Sequence, residues 1–196
     1  RTETGASPRR LPAWTRPQIP DLMVEAMVRM GSGVRIAFRT NSPTIELEAH
    51  LTSFRFDGEP RRTQGFDLVV DGTVIAKEVT EGGDCFVLDP ASRTVLSFEE
   101  GETLTLRSTE LGSDDKAIEI WLPTAATCEV RALRIEDAAM AAPPRPNASA
   151  RWVHYGSSIS HCMDVAHPTE TWPALAARSI GVELTSLALA GQCHLD

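Results

Sequence analysis

The sequence predicts a β-sandwich of the jelly-roll type, followed by a linker and the start of an α/β unit. Apolar and polar residues alternate with a two-residue period through much of residues 34–135, which is typical of half-buried strands. Residues 139–150 ("AMAAPPRPNASA") are rich in proline and alanine, as expected at a domain boundary. A strand–helix–strand pattern follows. We therefore expect a sandwich domain at 1–138, a linker at 139–150 and one incomplete βαβ unit at 151–196.

The composition is that of a globular protein without a nucleic-acid surface. The 196 residues are 42% hydrophobic and 23% charged, and the formal net charge is −8. Nucleic-acid binding would need a basic stripe, so we expect no such partner. No stretch approaches the roughly 18 apolar residues that a membrane span requires, so we expect no span. The oligomeric state and the compartment, secreted or cytoplasmic, stay open.

One short helix is expected ahead of the strands. Asp21 is a suitable N-cap, and Gly31 can end the helix. Three methionines recur at helical spacing between them: Met23, Met27 and Met30. This stripe indicates core packing.

The rest of the sandwich divides into eight or nine short strands. They are expected at 34–39, 44–51, 66–70, 73–75, 85–88, 94–98, 103–107, 117–122 and 128–135. Asp71-Gly72 favours a type I′ hairpin, because both turn positions need positive φ. Three alternate residues should face the core: Ile118, Ile120 and Leu122. Trp121 should then face solvent or another domain.

The C-terminal segment predicts two parallel strands joined by a helix. Residues 152–155 and 182–189 form apolar, strand-like runs, and residues 156–168 form a loop. Thr171 can cap the helix, Pro173 is tolerated in its first turn, and Gly181 can end it. Strand, helix and strand in this order form a βαβ unit.

Chemistry is expected where these two strands end. Ligands of open α/β sheets bind beyond the carboxyl ends of the strands, so the loops at 156–160 and 191–194 should line one crevice. Ser158 is presented there, and its backbone N–H can help to bind an oxyanion. Gly191 has no side chain, so a second N–H can approach the same oxygen. From spacing alone, a polar turn or a helix-capping serine explains Ser158 equally well, since Ser160 replaces the second glycine of the strict G-x-S-x-G elbow.

Four short stretches resemble SGNH (GDSL-type) hydrolases. "YGSSIS" is similar to the block that carries the nucleophile, "ETWPALAARSIG" to the following helix, and "LTSLALAGQ" to the block whose glycine donates to the oxyanion hole. "QGFDLVVDG" resembles the Gly-x-Asp-Leu motif of the β-sandwich domain that precedes some members. The resemblance implies a three-layer α/β/α, flavodoxin-like hydrolase domain. It assigns Ser158 as nucleophile and the N–H groups of Ser158 and Gly191 as oxyanion donors.

The chain departs from the family pattern in three places. Ser157 stands where many members have aspartate, and Ser186 lies near the place of the usual asparagine. The third block, with its oxyanion-hole asparagine, and the terminal Asp-x-x-His block that supplies the base are not visible. The base is therefore unassigned.

Other polar residues of the two loops are candidates for the pocket. Besides Ser157, these are His161, Gln192 and His194. A histidine among residues 154, 161, 167 and 194 could serve as base, but plain loop or core roles are favoured because no orienting carboxylate is identifiable. His161, Asp164 and His167 give only a weak metal signal, so we expect no metal and no organic cofactor.

The cysteines leave the compartment undecided. Cys162 and Cys193 lie just beyond the two loops, and we hypothesise that they are close in space, as a disulfide would require. Asn147-Ala148-Ser149 fits a glycosylation sequon, a triplet that is common by chance.

The expected function is hydrolysis of a small-molecule or carbohydrate ester, such as an acetyl ester, through an acyl-enzyme on Ser158. The alternative is a non-catalytic module whose sandwich binds a glycan or a partner, with an inactive or fragmentary hydrolase domain. A third reading is a pseudo-enzyme that has kept the pocket and lost turnover.

Overall fold

The computed structural model describes residues 2–146 and 150–194, and it consists mostly of β-sheet with few helices. The sequon at 147–149 lies outside the described residues. The strands are β1 (Arg35–Thr40), β2 (Ile45–Phe56), β3 (Gln64–Val70), β4 (Thr73–Thr80), β5 (Asp84–Leu88), β6 (Val95–Glu99), β7 (Leu104–Ser108), β8 (Lys116–Trp121), β9 (Ala126–Ile135), β10 (Ala141–Ala142), β11 (Arg151–Gly156) and β12 (Glu183–Ala188). The helices are α1 (Leu22–Arg29), α2 (Ser158–His161) and α3 (Trp172–Ile180). In the part of the chain so described, no helix is long and apolar enough to cross a membrane.

Helix α1 begins as the sequence predicts. The Asp21 carboxylate accepts hydrogen bonds from the amides of Met23 and Val24 at 2.8 and 3.0 Å, so Asp21 caps two otherwise unpaired N–H groups. The helix ends at Arg29, before the predicted Gly31, because Met30 is extended and bridges to Thr127 of β9.

Ten strands form two five-stranded sheets. One has the order β10-β1-β8-β3-β4, and the other has the order β6-β5-β2-β7 with β9 along the opposite edge of β2. The largest core cluster takes residues from both sheets. From β2 it includes Ile45, Leu47, Ala49 and Leu51, and from β3 and β8 it includes Phe66, Leu68, Ile118 and Ile120. The predicted alternation on these strands is thereby confirmed.

The predicted turn and the direction of Trp121 are both observed. Asp71 and Gly72 have φ values of 48° and 81°, as a type I′ hairpin needs. Trp121 is 4% exposed and packs against Ala174, Ala177 and Leu184 of the strand–helix–strand segment. It therefore faces that segment and not solvent.

The predicted linker is not wholly irregular. Its Ala141 and Ala142 form β10, which pairs with Thr40 and Arg39 at the edge of the first sheet. Without β10, β1 would be the edge strand of this sheet, so the connecting chain pairs with backbone groups that would otherwise be exposed.

The C-terminal segment has the predicted βαβ order. Strands β11 and β12 are parallel, in register from Arg151↔Glu183 to Gly156↔Ala188, and α3 lies between them in sequence. Gly181 ends α3 with a φ of 69°. Thr171 stands at the N-cap, but its hydroxyl donates to the Pro168 carbonyl and does not cap the helix. The predicted loop at 156–168 contains the four-residue helix α2.

Candidate active site

The loops after β11 and β12 emerge side by side. The Leu189 amide donates to the Gly156 carbonyl at 2.8 Å, which joins the carboxyl ends of the two strands. Helix α2 follows one end, and the turn that contains Gly191 follows the other. The expected meeting of the two loops at one edge of the sheet is therefore observed.

Ser158 is the first residue of α2 and is exposed. Gly156 makes this turn possible, because a Cβ at residue 156 would lie 2.4 Å from Oγ of Ser160. The short helix can thus fold back onto the end of β11. Across the described residues, no hydrogen bond of the Ser158 hydroxyl is recorded, and its general base stays unassigned.

Gly191 lies in a turn in which the Gln192 amide donates to the Leu189 carbonyl at 3.0 Å. Its φ is +67°, in the left-handed region that favours glycine. The residue is exposed, and the space where a Cβ would point is open. A ligand can therefore approach the backbone N–H of Gly191 without meeting a side chain at this residue.

His161 does not line an open crevice, contrary to the prediction. Its side chain is fully buried, Nε2 lies 2.9 Å from the Thr124 carbonyl, and Nδ1 accepts a hydrogen bond from the Ala190 amide at 3.1 Å. Burial, followed by the nearby positive charge of Arg10, lowers the pKa of His161 to about 4. Both ring nitrogens are occupied, so His161 is unsuited to act as a base.

The other pocket candidates lie on the same two loops. Ser157 is exposed at the N-cap of α2. Gln192 and His194 contact each other, with Oε1 and Nε2 at 3.3 Å, and the His194 carbonyl accepts a bond from the Tyr155 hydroxyl.

His154 belongs to an aromatic cluster. Its ring centroid lies 4.8 Å from that of Trp172 and 5.1 Å from that of Trp152. Burial lowers its pKa, and its buried Nε2 has no hydrogen-bond partner within residues 2–146 and 150–194. The neutral form is favoured there, on the side of β11 that faces α3.

His167 has an orienting carboxylate that the sequence did not reveal. Nδ1 of His167 lies 3.1 Å from Oδ1 of Asp67, which is fully buried in β3. The other carboxylate oxygen accepts the Thr169 amide at 2.8 Å and the Thr169 hydroxyl at 2.5 Å. Asp67 thus fixes the segment that connects α2 to α3. The available signal was the motif "QGFDLVVDG", in which Asp67 stands.

Gly65 of the same motif lets this segment approach β3. A Cβ at residue 65 would lie 1.8 Å from the Ala166 carbonyl oxygen. We expect Gly65→Ala to lower the free energy of unfolding by about 1–3 kcal/mol through overpacking, measured by urea denaturation. Gly82→Ala is the control, because only the Thr80 hydroxyl approaches that position. Equal stability of the two variants would contradict the close packing.

The residues with a weak metal signal do not converge. Asp164 is 89% exposed and pairs with Arg62 at 3.0 Å, while His161 and His167 hold the separate partners given above. Among the residues that the structure describes, no group of three or more His, Cys, Asp or Glu side chains is placed to hold a metal.

The hypothesis of a Cys162–Cys193 disulfide is wrong, because both thiols are free. Cys162 ends α2 in the left-handed conformation, with a φ of 59°, and its Sγ contacts the Ile159 carbonyl at 3.1 Å. The thiol is thus directed back toward its own helix. Burial raises its pKa.

Residues of the N-terminal part bind the end of α2 and the end of β12. The Ser32 hydroxyl donates to the His161 carbonyl at 3.0 Å, and the Thr124 hydroxyl donates to the Cys162 carbonyl at 3.2 Å. The Arg10 guanidinium donates to the carbonyls of Ala188, Met27 and Met30, and burial lowers its pKa to about 10. Arg10, which precedes α1 in sequence, thereby connects the end of α1 to the end of β12.

No family model matches the sequence, and no curated protein does. The chain is similar in structure to a salicylyl-acyltransferase from a tetracycline biosynthetic pathway, with 27% identity and a TM-score of 0.79 over 97% of this chain and 49% of that one. A protein described as a GDSL-like lipase from Bacteroides ovatus ATCC 8483 gives 19% identity and a TM-score of 0.65, over 92% and 51% of the two chains.

A family two carbohydrate esterase from Clostridium thermocellum, in complex with cellohexaose, gives 12% identity and a TM-score of 0.56, over 83% and 46% of the two chains. The chain spans about half the length of these solved structures. Over that half, it has the same sheet-rich fold as these solved structures.

Proposed function

We propose that the chain is part of a serine-dependent ester hydrolase of the SGNH type, with Ser158 as its nucleophile. The observation that carries the proposal is the placement of Ser158: it is exposed at the carboxyl end of β11, beside the Gly191 turn that follows β12. Similarity to esterases and to an acyltransferase supports the same chemistry.

The proposed architecture has three parts. Residues 1–138 form a jelly-roll-like β-sandwich, residues 139–150 a linker with β10 in it, and residues 151–196 the first βαβ unit of a three-layer, flavodoxin-like domain. The core shared by the two five-stranded sheets supports the first part. The parallel pairing of β11 and β12 supports the last, since one such unit cannot bury both faces of its sheet alone.

The mechanism follows from the position of the serine. Oγ of Ser158 attacks the ester carbonyl carbon, and its proton passes to a general base, which SGNH hydrolases supply from a terminal Asp-x-x-His block. The N–H groups of Ser158 and Gly191 bind the resulting oxyanion. The alcohol then leaves with a proton, and water attacks the acyl-enzyme to release the acid. An alcohol in place of water would give acyl transfer, and one similar structure is named as an acyltransferase.

The substrate class is a small-molecule or carbohydrate ester. A free-standing binding module is disfavoured, because side chains from the N-terminal part bind the segment after β11: Ser32 and Thr124 bind the carbonyls of His161 and Cys162, and Asp67 binds Thr169. The sheets therefore act as a scaffold for the site.

A fluorophosphonate probe tests the proposal on the complete reading frame. We expect an adduct on Ser158, complete loss of labelling in Ser158→Ala, and retained labelling in the matched control Ser157→Ala, whose exposed hydroxyl is one residue away. A loss of ester hydrolysis by about 10³-fold or more should accompany Ser158→Ala. Labelling that survives Ser158→Ala would reject the assignment. Product analysis with added alcohols separates hydrolysis from transfer.

A further inference from the structure

One buried imidazole connects the nucleophile helix to the proposed oxyanion turn. His161 is the last residue of α2, and its Nδ1 accepts the amide hydrogen of Ala190, the residue directly before Gly191. This is a direct side-chain contact between the segment of Ser158 and the segment of Gly191.

The hydrogen bonds of His161 fix its tautomer. The Thr124 carbonyl only accepts, so Nε2 must carry the proton, and the Ala190 amide only donates, so Nδ1 must be bare. The ring can satisfy both partners only in this neutral form. Among the described residues, no carboxylate is hydrogen-bonded to the ring, and the charged group that acts on it is Arg10.

We propose that His161 is a positioning residue for the oxyanion hole, holding the Gly191 amide at a set distance from Ser158. The inference rests on the proposed function and goes beyond it, because it gives a role to a residue that never touches substrate.

Few contacts lie between Ser158, the proposed nucleophile, and the Gly191 amide, the proposed oxyanion donor. The amides of His161 and Cys162 donate to the carbonyls of Ser157 and Ser158 at 2.9 and 3.0 Å, so Ser158 and His161 share one rigid turn. Ala190 and Gly191 are neighbours, with Cα atoms about 3.8 Å apart. Only one hydrogen bond therefore separates the turn of Ser158 from the peptide that precedes the donor.

The ring is also anchored from the opposite side. Its Nε2–H binds Thr124, which follows β8, and its own carbonyl accepts the Ser32 hydroxyl. Motion of α2 away from the Gly191 turn would break these bonds in a fully buried place. A misplaced oxyanion donor lowers kcat and leaves ground-state binding largely unchanged.

Two amide substitutions, each of which keeps one of the two ring contacts, separate positioning from stability. In His161→Asn the carboxamide oxygen can take the place of Nδ1 and keep the Ala190 contact. In His161→Gln the longer amide reaches toward Thr124 and leaves the Ala190 amide without its acceptor. Each variant loses one hydrogen bond of the pair, so both should lose thermal stability to a similar extent.

The two variants should differ in kcat and in exchange of one amide. We expect His161→Gln to lower kcat of ester hydrolysis by about 10–100-fold at unchanged KM, less than outright loss of a donor, whereas His161→Asn should stay within about threefold of wild type. Hydrogen exchange at Ala190, read by NMR or mass spectrometry, should accelerate in His161→Gln and remain protected in His161→Asn.

The kinetic and exchange results test the positioning role of His161 separately from the proposed esterase activity. Equal kcat losses in the two variants, or an Ala190 amide that stays protected in His161→Gln, would overturn the positioning role. A wild-type protein that neither hydrolyses esters nor reacts with the fluorophosphonate would reject the proposed function, and the positioning role with it. The exchange measurement still reports the His161–Ala190 contact in that case.

Discussion

Asp67→Ala should lower the free energy of unfolding by about 3–5 kcal/mol, because it removes a buried carboxylate and leaves its partners unpaired. The amide and hydroxyl of Thr169 and Nδ1 of His167 all lose their acceptor in a place that water does not reach readily. Asp67→Asn keeps one carbonyl oxygen, so its loss should be smaller. Urea denaturation with an unchanged m-value would measure both.

The matched control for this experiment is Asp164→Ala. Asp164 is 89% exposed and pairs with Arg62, so its loss should change the free energy of unfolding by less than about 1 kcal/mol. Similar destabilisation by the two alanines would mean that the Asp67 carboxylate does not hold the segment after α2.

A second expected result is an acid-dependent loss of stability of about 3 kcal/mol that belongs to His161. Its pKa is near 6.5 in the unfolded chain and about 4 in the folded one. Between these pH values the unfolded state binds more protons, so the free energy of unfolding falls as the pH decreases from about 6.5 to about 4 and changes little further below. Each pH unit in this window contributes about 1.4 kcal/mol.

The measurement compares the free energy of unfolding of wild type and His161→Asn across this pH range. Carboxylates such as Glu25 and Asp84, whose pKa values are lowered by their partners, titrate in both proteins and cancel in the difference. Between pH 6.5 and pH 4, the free energy of unfolding should fall by about 3 kcal/mol more in the wild type than in His161→Asn. Parallel curves would show that the imidazole titrates alike in the folded and unfolded states.

Local patterns were enough to predict most of the secondary structure. The alternation on β2 and β8, the capping aspartate of α1 and the Asp-Gly hairpin each depend on a few neighbouring residues. β10 and α2 were missed, because a two-residue edge strand and a four-residue helix have no period to detect. Tertiary contacts create both.

The site was predictable to the extent that it lies at strand ends. The positions of Ser158 and Gly191 followed from the order of β11, α3 and β12. The partners of the histidines did not, since His161 binds Thr124 and His167 binds Asp67 across 37 and 100 residues of sequence. The disulfide hypothesis failed for a related reason: nearness of two loops does not set the direction of a side chain.

The contacts of Arg10, Ser32, Asp67 and Thr124 also imply an order of assembly. All four residues precede the segment at 151–194 that they hold, in one case by 178 positions. During synthesis the two large sheets can be complete before Ser158 leaves the ribosome. The turns at Ser158 and Gly191 would then fold onto completed sheets, and substitutions that destabilise those sheets would also delay the folding of the 151–194 segment.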